Sequence, residues 1–150
     1  MGVDAELVVV GCVPPDDVKH DKLTVVPFLN KNIPQQQKRL NEIFMNSHFF
    51  IFSIRADCSP IVICEANAFG LPVITTEVGG IPTIIKNGKN GYMLSLSASG
   101  GDYANLIVKN FSDQTCYKHL VRSSRKEYDT RLNRNKWAES LHHIIITMID

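Results

Sequence analysis

Two acidic residues, Asp57 and Glu65, frame an apolar segment of the chain at a spacing that suits ligand binding. Glu65 interrupts a run, residues 61–69, that otherwise favours a buried helix. An unpaired buried carboxylate is costly, so Glu65 must be paired, protonated or directed toward a cavity. Ser59-Pro60 ahead of this run predicts an N-cap at Ser59 with proline at the first helical position, and free N–H groups at such a helix start favour an anion. Two carboxylates beside such a helix start suit a ligand with hydroxyls at its ends and phosphate in its middle.

Short apolar strands alternate with helical patterns along the chain, which predicts a single α/β domain. Continuous apolar strands favour a parallel sheet that helices cover on both faces. The strands are predicted at residues 7–10, 23–28, 49–54, 72–76 and 91–94. Helices are predicted after Pro34, from Pro60 to Gly70, and through three apolar stripes: Tyr103, Leu106 and Ile107; Tyr117, Leu120 and Val121; and Trp137, Leu141, Ile144, Ile145 and Met148.

The loops after three of these strands are the places where a ligand is expected to bind. Ligands of open α/β sheets bind outside the carboxyl ends of the strands, so Asp57 and Glu65 should border one cleft. The strand at 72–76 leads into Gly79-Gly80, where the backbone can approach a ligand closely. The strand at 23–28 ends at a third such loop.

Composition argues against several other classes of protein. The 150 residues include 16 Lys and Arg against 15 Asp and Glu, so nucleic acid is not the expected main partner. No apolar run reaches the roughly 18–20 residues that a membrane-spanning helix needs, and residues 1–6 do not resemble a secretion signal. The four cysteines lack C-x-x-C spacing, which favours reduced small hydrophobes in a cytoplasmic protein over a metal site.

One long motif resembles a known family. Asp57, seven further residues and the segment EANAFGLPVITTEVGGIP (65–82) resemble the donor-binding domain of retaining GT-B glycosyltransferases, specifically the GT4 family of the group 1 glycosyl transferases. NGKNGY (87–92) resembles the D-G-x-N-G-x segment of that family, and Trp137 resembles the tryptophan of its closing helix. The resemblance covers nearly the whole chain and implies a Rossmann-like parallel sheet flanked by helices, as in the C-terminal half of a GT-B enzyme.

The resemblance also implies roles for individual residues. Glu65 matches the acid that bonds the ribose hydroxyls of the donor nucleotide, and Asp57 matches the acid that contacts the donor sugar. We therefore assign Asp57 to sugar positioning and electrostatic stabilisation rather than to covalent attack. The remaining implied binding residues are Ser59, Pro60, Ile61 and Val62 beside the sugar and diphosphate, Val26 and Phe28 beside the base, and Gly79 and Gly80 in the glycine pair.

The sequence departs from the family pattern in several places. Asp57 stands where the family usually has Glu, Cys58 begins a different segment after that acid, and Thr83 replaces another acid. The first strand and helix of the donor domain, with an Arg and a Lys that hold the diphosphate, have no counterpart, and neither has the N-terminal acceptor-binding domain. The chain is therefore expected to be a partial donor domain that is inactive alone: a fragment, a truncated product, or a subunit that pairs with a separate acceptor half.

The expected function is transfer of a sugar from a nucleotide-sugar donor, such as a UDP- or GDP-sugar, to a glycan, polysaccharide or lipid-linked acceptor, without a metal or other cofactor. The alternatives are a solitary nucleotide-sugar-binding module that needs a partner chain, a sugar-nucleotide epimerase, and a doubly wound domain whose acids are structural. The expected partners are the donor and an acceptor-binding domain or subunit. The expected location is the cytoplasm, where the basic segment 118–136 is either a solvated helix face or a peripheral contact with the inner membrane face.

Each residue assignment has a structural alternative. Glu65 can pair with Lys86, Arg55 or a buried backbone group, and Asp57 can pair with Arg55 in a surface loop. The two glycines can simply form a tight turn. Cys58 at a helix start can favour a nucleophilic thiolate, although the sequence indicates no histidine base for it.

Overall fold

The computed structural model describes residues 3–149, and the chain divides into two compact units between Asn46 and Ser47. The first unit contains a two-stranded parallel sheet and one helix, and the second contains a three-stranded parallel sheet with the later helices. The strands are β1 (Leu7–Val10), β2 (Leu23–Val26), β3 (Phe50–Phe52), β4 (Val73–Thr76) and β5 (Gly91–Leu94). The helices are α1 (Pro34–Asn46), α2 (Ile61–Ala68), α3 (Ile81–Ile84), α4 (Gly100–Ser112), α5 (Gln114–Glu127) and α6 (Arg134–Ile149), with a π-helical turn at Tyr128–Leu132.

The predicted α/β class with parallel strands is confirmed. All five predicted strands form, but β2, β3 and β4 are each shorter than the sequence pattern predicts. The pattern misses α3 and the π-helical turn, because each spans only about one turn and has no hydrophobic periodicity of its own.

The first unit buries little of its sheet. Strand β1 pairs with β2 in parallel, with Leu7 opposite Leu23 and Val10 opposite Val26. The expectation that apolar strands are covered on both faces is wrong for β1, where Leu7 is 50% exposed. Pairing within a two-stranded sheet does not itself cover the faces of either strand, and Val26 is the one buried residue of β1 and β2.

The second unit has its core around β4, which lies between β3 and β5. Ile74 lies opposite Ile51 on one side and Tyr92 on the other, and all four residues of β4 are buried. Because the three strands are parallel, their carboxyl ends lie along one edge of the sheet. The loops that lead into α2, α3 and α4 start from that edge, where ligands of α/β proteins bind.

A buried pair of amide side chains fixes α2 against the segment before β5. Asn67 and Asn90 are both fully buried, and Nδ2 of Asn90 donates to Oδ1 of Asn67 at 2.7 Å. Asn67 Nδ2 also donates to the carbonyl oxygens of Leu71 and Asn90, while Asn90 Nδ2 donates to that of Ile84. Bonds of this kind satisfy buried polar groups that would otherwise cost stability, so they fix the position of α2 in the core.

Helix α6 forms as predicted, but its apolar stripe is not buried. Trp137 is 66% exposed and Met148 is 81% exposed. An amphipathic pattern predicts which face of a helix is apolar but not what covers it, and the described residues leave this face in contact with solvent. Among residues 3–149 the structure contains no helix that is long and apolar enough to span a membrane.

Candidate active site

The loop after β3 leads into α2 and contains Asp57. Asp57 is half-buried, and its Oδ1 accepts a hydrogen bond of 2.9 Å from the backbone N–H of Ser59. Helix α2 begins at Ile61 with Pro60 as the N-cap, one residue later than predicted, and Pro60 makes no side-chain capping bond. The first turn of α2 therefore has N–H groups that no capping side chain binds, which suits an anionic ligand.

Glu65 lies in the middle of α2 and is half-buried. Its helix neighbours Ile63 and Ala66 are fully buried, so Glu65 lies at the border of the core rather than inside it. This position explains how an acid can interrupt an apolar run without the full cost of burying a charge. Lys86 was one of the alternative structural partners of Glu65, and in the structure its ammonium lies 3.9 Å from Oε2 of a different acid, Glu127.

The glycine pair after β4 lies directly against the Asp57 loop. A Cβ added to Gly79 would lie 2.1 Å from the carbonyl oxygen of Asp57, and one added to Gly80 would lie 1.7 Å from that of Cys58. The N–H of Gly80 donates to the Asp57 carbonyl oxygen at 3.2 Å. The absent side chains thus allow close packing of two loops, and a contact of the same glycines with a ligand stays a prediction.

A cleft of about 390 Å³ opens at the carboxyl ends of the strands of the second unit. Its polar lining residues are Ser53, Arg55, Thr76, Ser95 and Tyr103. The hydroxyl oxygens of Thr76 and Tyr103, both buried, lie 3.2 Å apart. The sequence indicated Arg55 only as a structural partner of the two acids and Tyr103 only as part of an apolar stripe. It assigned Ser95 no role, although the position of Ser95 directly after β5 was an available signal.

Val26 and Phe28 belong to the first unit. Val26 ends β2 and is 3% exposed, so its side chain is part of the core of that unit. Phe28 follows the strand and is 76% exposed. An exposed aromatic ring after a strand end suits stacking on a base, and the assignment of both residues to a base site stays a prediction.

The structure shows the surroundings of the four cysteines. All four cysteines are free, as predicted, but three of them, including Cys58, are exposed, so these three do not pack as small hydrophobes. Burial raises the pKa of the half-buried Cys64 thiol, an effect that the charge of Arg131 opposes and that of Glu65 reinforces. Within residues 3–149 no group of three or more His, Cys, Asp or Glu side chains is placed to hold a metal ion.

The basic segment is more than a solvated helix face, because two of its arginines bind other parts of the second unit. Nε of Arg125 donates to Asp129 at 3.0 Å, and its Nη1 donates to the carbonyl oxygen of Ala68 at 2.6 Å. Arg131 binds Glu127 and the end of α3 in a similar way. These two arginines are thus structural parts of the fold that holds the candidate site.

The chain belongs to the family of glycosyl transferases group 1, since the model of that family matches residues 2–113. The matched range contains all five strands, both acidic residues of the candidate site and the glycine pair. The family indicated by the motif at 57–82 is thereby confirmed.

Two relatives match most of this chain, but the matched part is a small share of each relative's length. Spore coat protein SA of Bacillus subtilis strain 168 is 31% identical over 127 residues, which are 83% of this chain and 32% of that protein. N-acetyl-alpha-D-glucosaminyl L-malate synthase of Bacillus anthracis is 28% identical over 101 residues, which are 67% of this chain and 25% of that protein. The chain therefore spans about a third or less of the length of these relatives.

Solved structures of glycosyltransferases share the fold. Sucrose-phosphate synthase from Thermosynechococcus elongatus superposes with a TM-score of 0.66 at 18% identity, covering 86% of this chain and 31% of that one. Anabaena HepE in complex with UDP-glucose superposes with a TM-score of 0.61 at 19% identity, covering 82% of this chain and 33% of that one. The likeness confirms the predicted fold as that of the GT-B glycosyltransferases.

Proposed function

We propose that this chain binds a nucleotide sugar and is part of the donor-binding domain of a retaining glycosyltransferase of the GT4 type. The observation on which this rests is the start of α2, which has no side-chain cap and lies between Asp57 and Glu65. Helix N–H groups suit a diphosphate, and carboxylates on either side suit sugar hydroxyls. HepE, which has the same fold, was solved with UDP and with UDP-glucose, and this supports the donor class.

In this proposal each acid has one role. Glu65 accepts hydrogen bonds from the ribose hydroxyls, and Asp57 accepts them from the donor sugar. The bond from the Ser59 N–H orients the Asp57 carboxylate and leaves it capacity for further bonds. A carboxylate there also stabilises the positive charge that develops on the sugar as its bond to the diphosphate breaks. The mechanism uses neither a metal nor a protein nucleophile.

The proposal extends to what completes the enzyme. The acceptor is a glycan, polysaccharide or lipid-linked sugar that binds on a separate domain or subunit, and the reaction takes place in the cytoplasm or at the inner membrane face. We expect the 150-residue chain to bind the donor without transferring its sugar. The alternative is a solitary nucleotide-sugar-binding module that needs a partner chain for transfer. That alternative also predicts donor binding without transfer by the chain alone. Sugar transfer after addition of the partner chain would identify it.

Saturation-transfer NMR with UDP, GDP, ADP and UDP-glucose tests the proposal. We expect signal from one nucleotide and its sugar, and loss of that signal in Glu65→Gln, which keeps the size of the side chain but removes its charge. Glu139→Gln, on exposed α6, is the matched control and should bind as the unchanged chain does. Absence of signal from every nucleotide, or equal signal from Glu65→Gln, would contradict the proposal.

A further inference from the structure

Arg131, in the π-helical turn, binds three oxygen atoms and holds the end of α3. Its Nε donates to Oε2 of Glu127 at 2.5 Å, and its Nη1 and Nη2 donate to the carbonyl oxygens of Thr83 and Ile84 at 3.0 and 2.5 Å. The side chains of Arg131 and Glu127 are only 26% and 13% exposed. Charged hydrogen bonds with this much shielding are stronger than neutral ones, so this is a firm attachment.

From Thr83 the hydrogen bonds continue to the Asp57 loop. Oγ1 of Thr83 donates to the carbonyl oxygen of Gly80 at 2.7 Å, and the Thr83 N–H donates to the same oxygen at 3.0 Å. The N–H of Gly80 in turn donates to the carbonyl oxygen of Asp57 at 3.2 Å. One continuous path therefore joins Arg131 to the loop that contains the sugar-positioning acid of the proposed site.

Arg131 lies inside the π-helical turn at Tyr128–Leu132. Such turns are rare, and they often occur at functional sites. Asn133 stabilises this one, since its Nδ2 donates to the carbonyl oxygens of Tyr128 and Asp129, each at 2.9 Å. The planar guanidinium can serve a carboxylate and two carbonyls at once, which a lysine ammonium cannot match in geometry.

We propose that Arg131, held by Glu127, is a positioning residue of the donor site. By fixing α3 it keeps Gly80 in contact with the Asp57 loop, and so keeps Asp57 in place for the sugar. This inference rests on the proposed function, because it assigns Asp57 the role given there. Arg131 itself needs no contact with the donor.

The test compares Arg131→Gln with Arg131→Lys and with Arg125→Gln as a matched control. Arg125 lies on the same helical segment and, like Arg131, binds a carboxylate four residues away, but its carbonyl partner is Ala68 of α2. Hydrogen exchange of the Gly80 amide, followed by NMR, reports directly on the loop contact. Titration with UDP-glucose reports on the donor site.

Arg131→Gln should speed exchange of the Gly80 amide by at least about tenfold and weaken UDP-glucose binding by at least about tenfold, because the loops separate more often and the acid is misplaced. Arg131→Lys should give intermediate values, and Arg125→Gln should leave the Gly80 amide unchanged. Thr83→Val removes only the Oγ1 bond at an exposed residue, and gives a second measurement if Arg131→Gln fails to fold.

Three results would overturn the inference, and one of them also concerns the proposed function. Unchanged exchange of the Gly80 amide in folded variants would show that Arg131 does not fix the contact, whether or not the affinity for UDP-glucose changes. Faster exchange with unchanged affinity would show that the contact does not serve the donor site. If the chain without substitutions binds no nucleotide, both the proposed function and the donor-site role of Arg131 fail. The exchange data then show only that Arg131 attaches α3 to the rest of the fold.

Discussion

Replacing Gly80 by alanine is the sharpest test of the contact between the two loops. The added Cβ would lie 1.7 Å from the carbonyl oxygen of Cys58, whereas real contacts of this kind are not shorter than 3.0 Å. The Cys58 carbonyl must therefore move by at least about 1.3 Å. Gly80 has φ −86° and ψ −1°, which lies outside the left-handed region and is open to alanine, so most of the cost is steric.

The size of the effect follows from two terms. Overpacking typically costs about 1–3 kcal/mol, and a shift of this size also stretches the Gly80 to Asp57 hydrogen bond, worth about 1 kcal/mol. We expect Gly80→Ala to lower the free energy of unfolding by about 2–4 kcal/mol. We also expect weaker UDP-glucose binding, because the displaced backbone belongs to the loop that contains Asp57.

Urea denaturation of three alanine variants measures the effect against matched controls. An alanine Cβ at Gly100, in the first turn of α4, would have no atom within 4 Å, so Gly100→Ala should be neutral or slightly stabilising. Gly88 also has open space but φ +75°, so Gly88→Ala reports the cost of left-handed backbone alone, about 1–2 kcal/mol. A free energy for Gly80→Ala within about 0.5 kcal/mol of Gly100→Ala would refute the reasoning, because the loops would then not touch as described.

Two further predictions concern the helical segment behind the site. Ser124 is fully buried, and within residues 3–149 its hydroxyl has no hydrogen-bond partner. Ser124→Ala should therefore stabilise the protein by about 1 kcal/mol, measured against Ser123→Ala on the same helix. A clear loss of stability would show that the hydroxyl is bound. Burial acts to raise the pKa of Glu127, but the hydrogen bond and charge of Arg131, with the charge of Lys86 and a neighbouring lysine, bring it below its ordinary value of 4.5. A carboxyl with a lowered pKa adds stability that is present above pH 4.5 and lost as the pH falls below it. The urea midpoint should therefore fall more steeply below that pH than in Glu127→Gln, and parallel curves would contradict the prediction.

The sequence predicts those parts of the fold that leave a local pattern. The apolar run around Glu65, with Ser59-Pro60 before it, indicated the start of α2 to within one residue, but the predicted cap by Ser59 is wrong, because the N-cap is Pro60 and no side chain caps the helix. The attachment of α3 left no such pattern, because Arg131 and Thr83 are 48 residues apart and lie in elements of about one turn. Contacts between distant short elements depend on the folded chain, so periodicity does not reveal them.

Two arginines of the basic segment stabilise the short helices α2 and α3 at their C-termini. Helices of eight and four residues, such as α2 and α3, are too short to be stable by themselves and depend on tertiary contacts. Both begin at the carboxyl edge of the sheet, where α2 has no side-chain cap and α3 starts at Gly80, packed against the Asp57 loop. Their C-termini are instead held by Arg125, at the Ala68 carbonyl, and by Arg131, at the end of α3. Stabilisation at its far end lets α2 keep a start without a side-chain cap, whereas the same kind of attachment holds α3 against the Asp57 loop. Both arginines of the basic segment therefore belong to the architecture of the site.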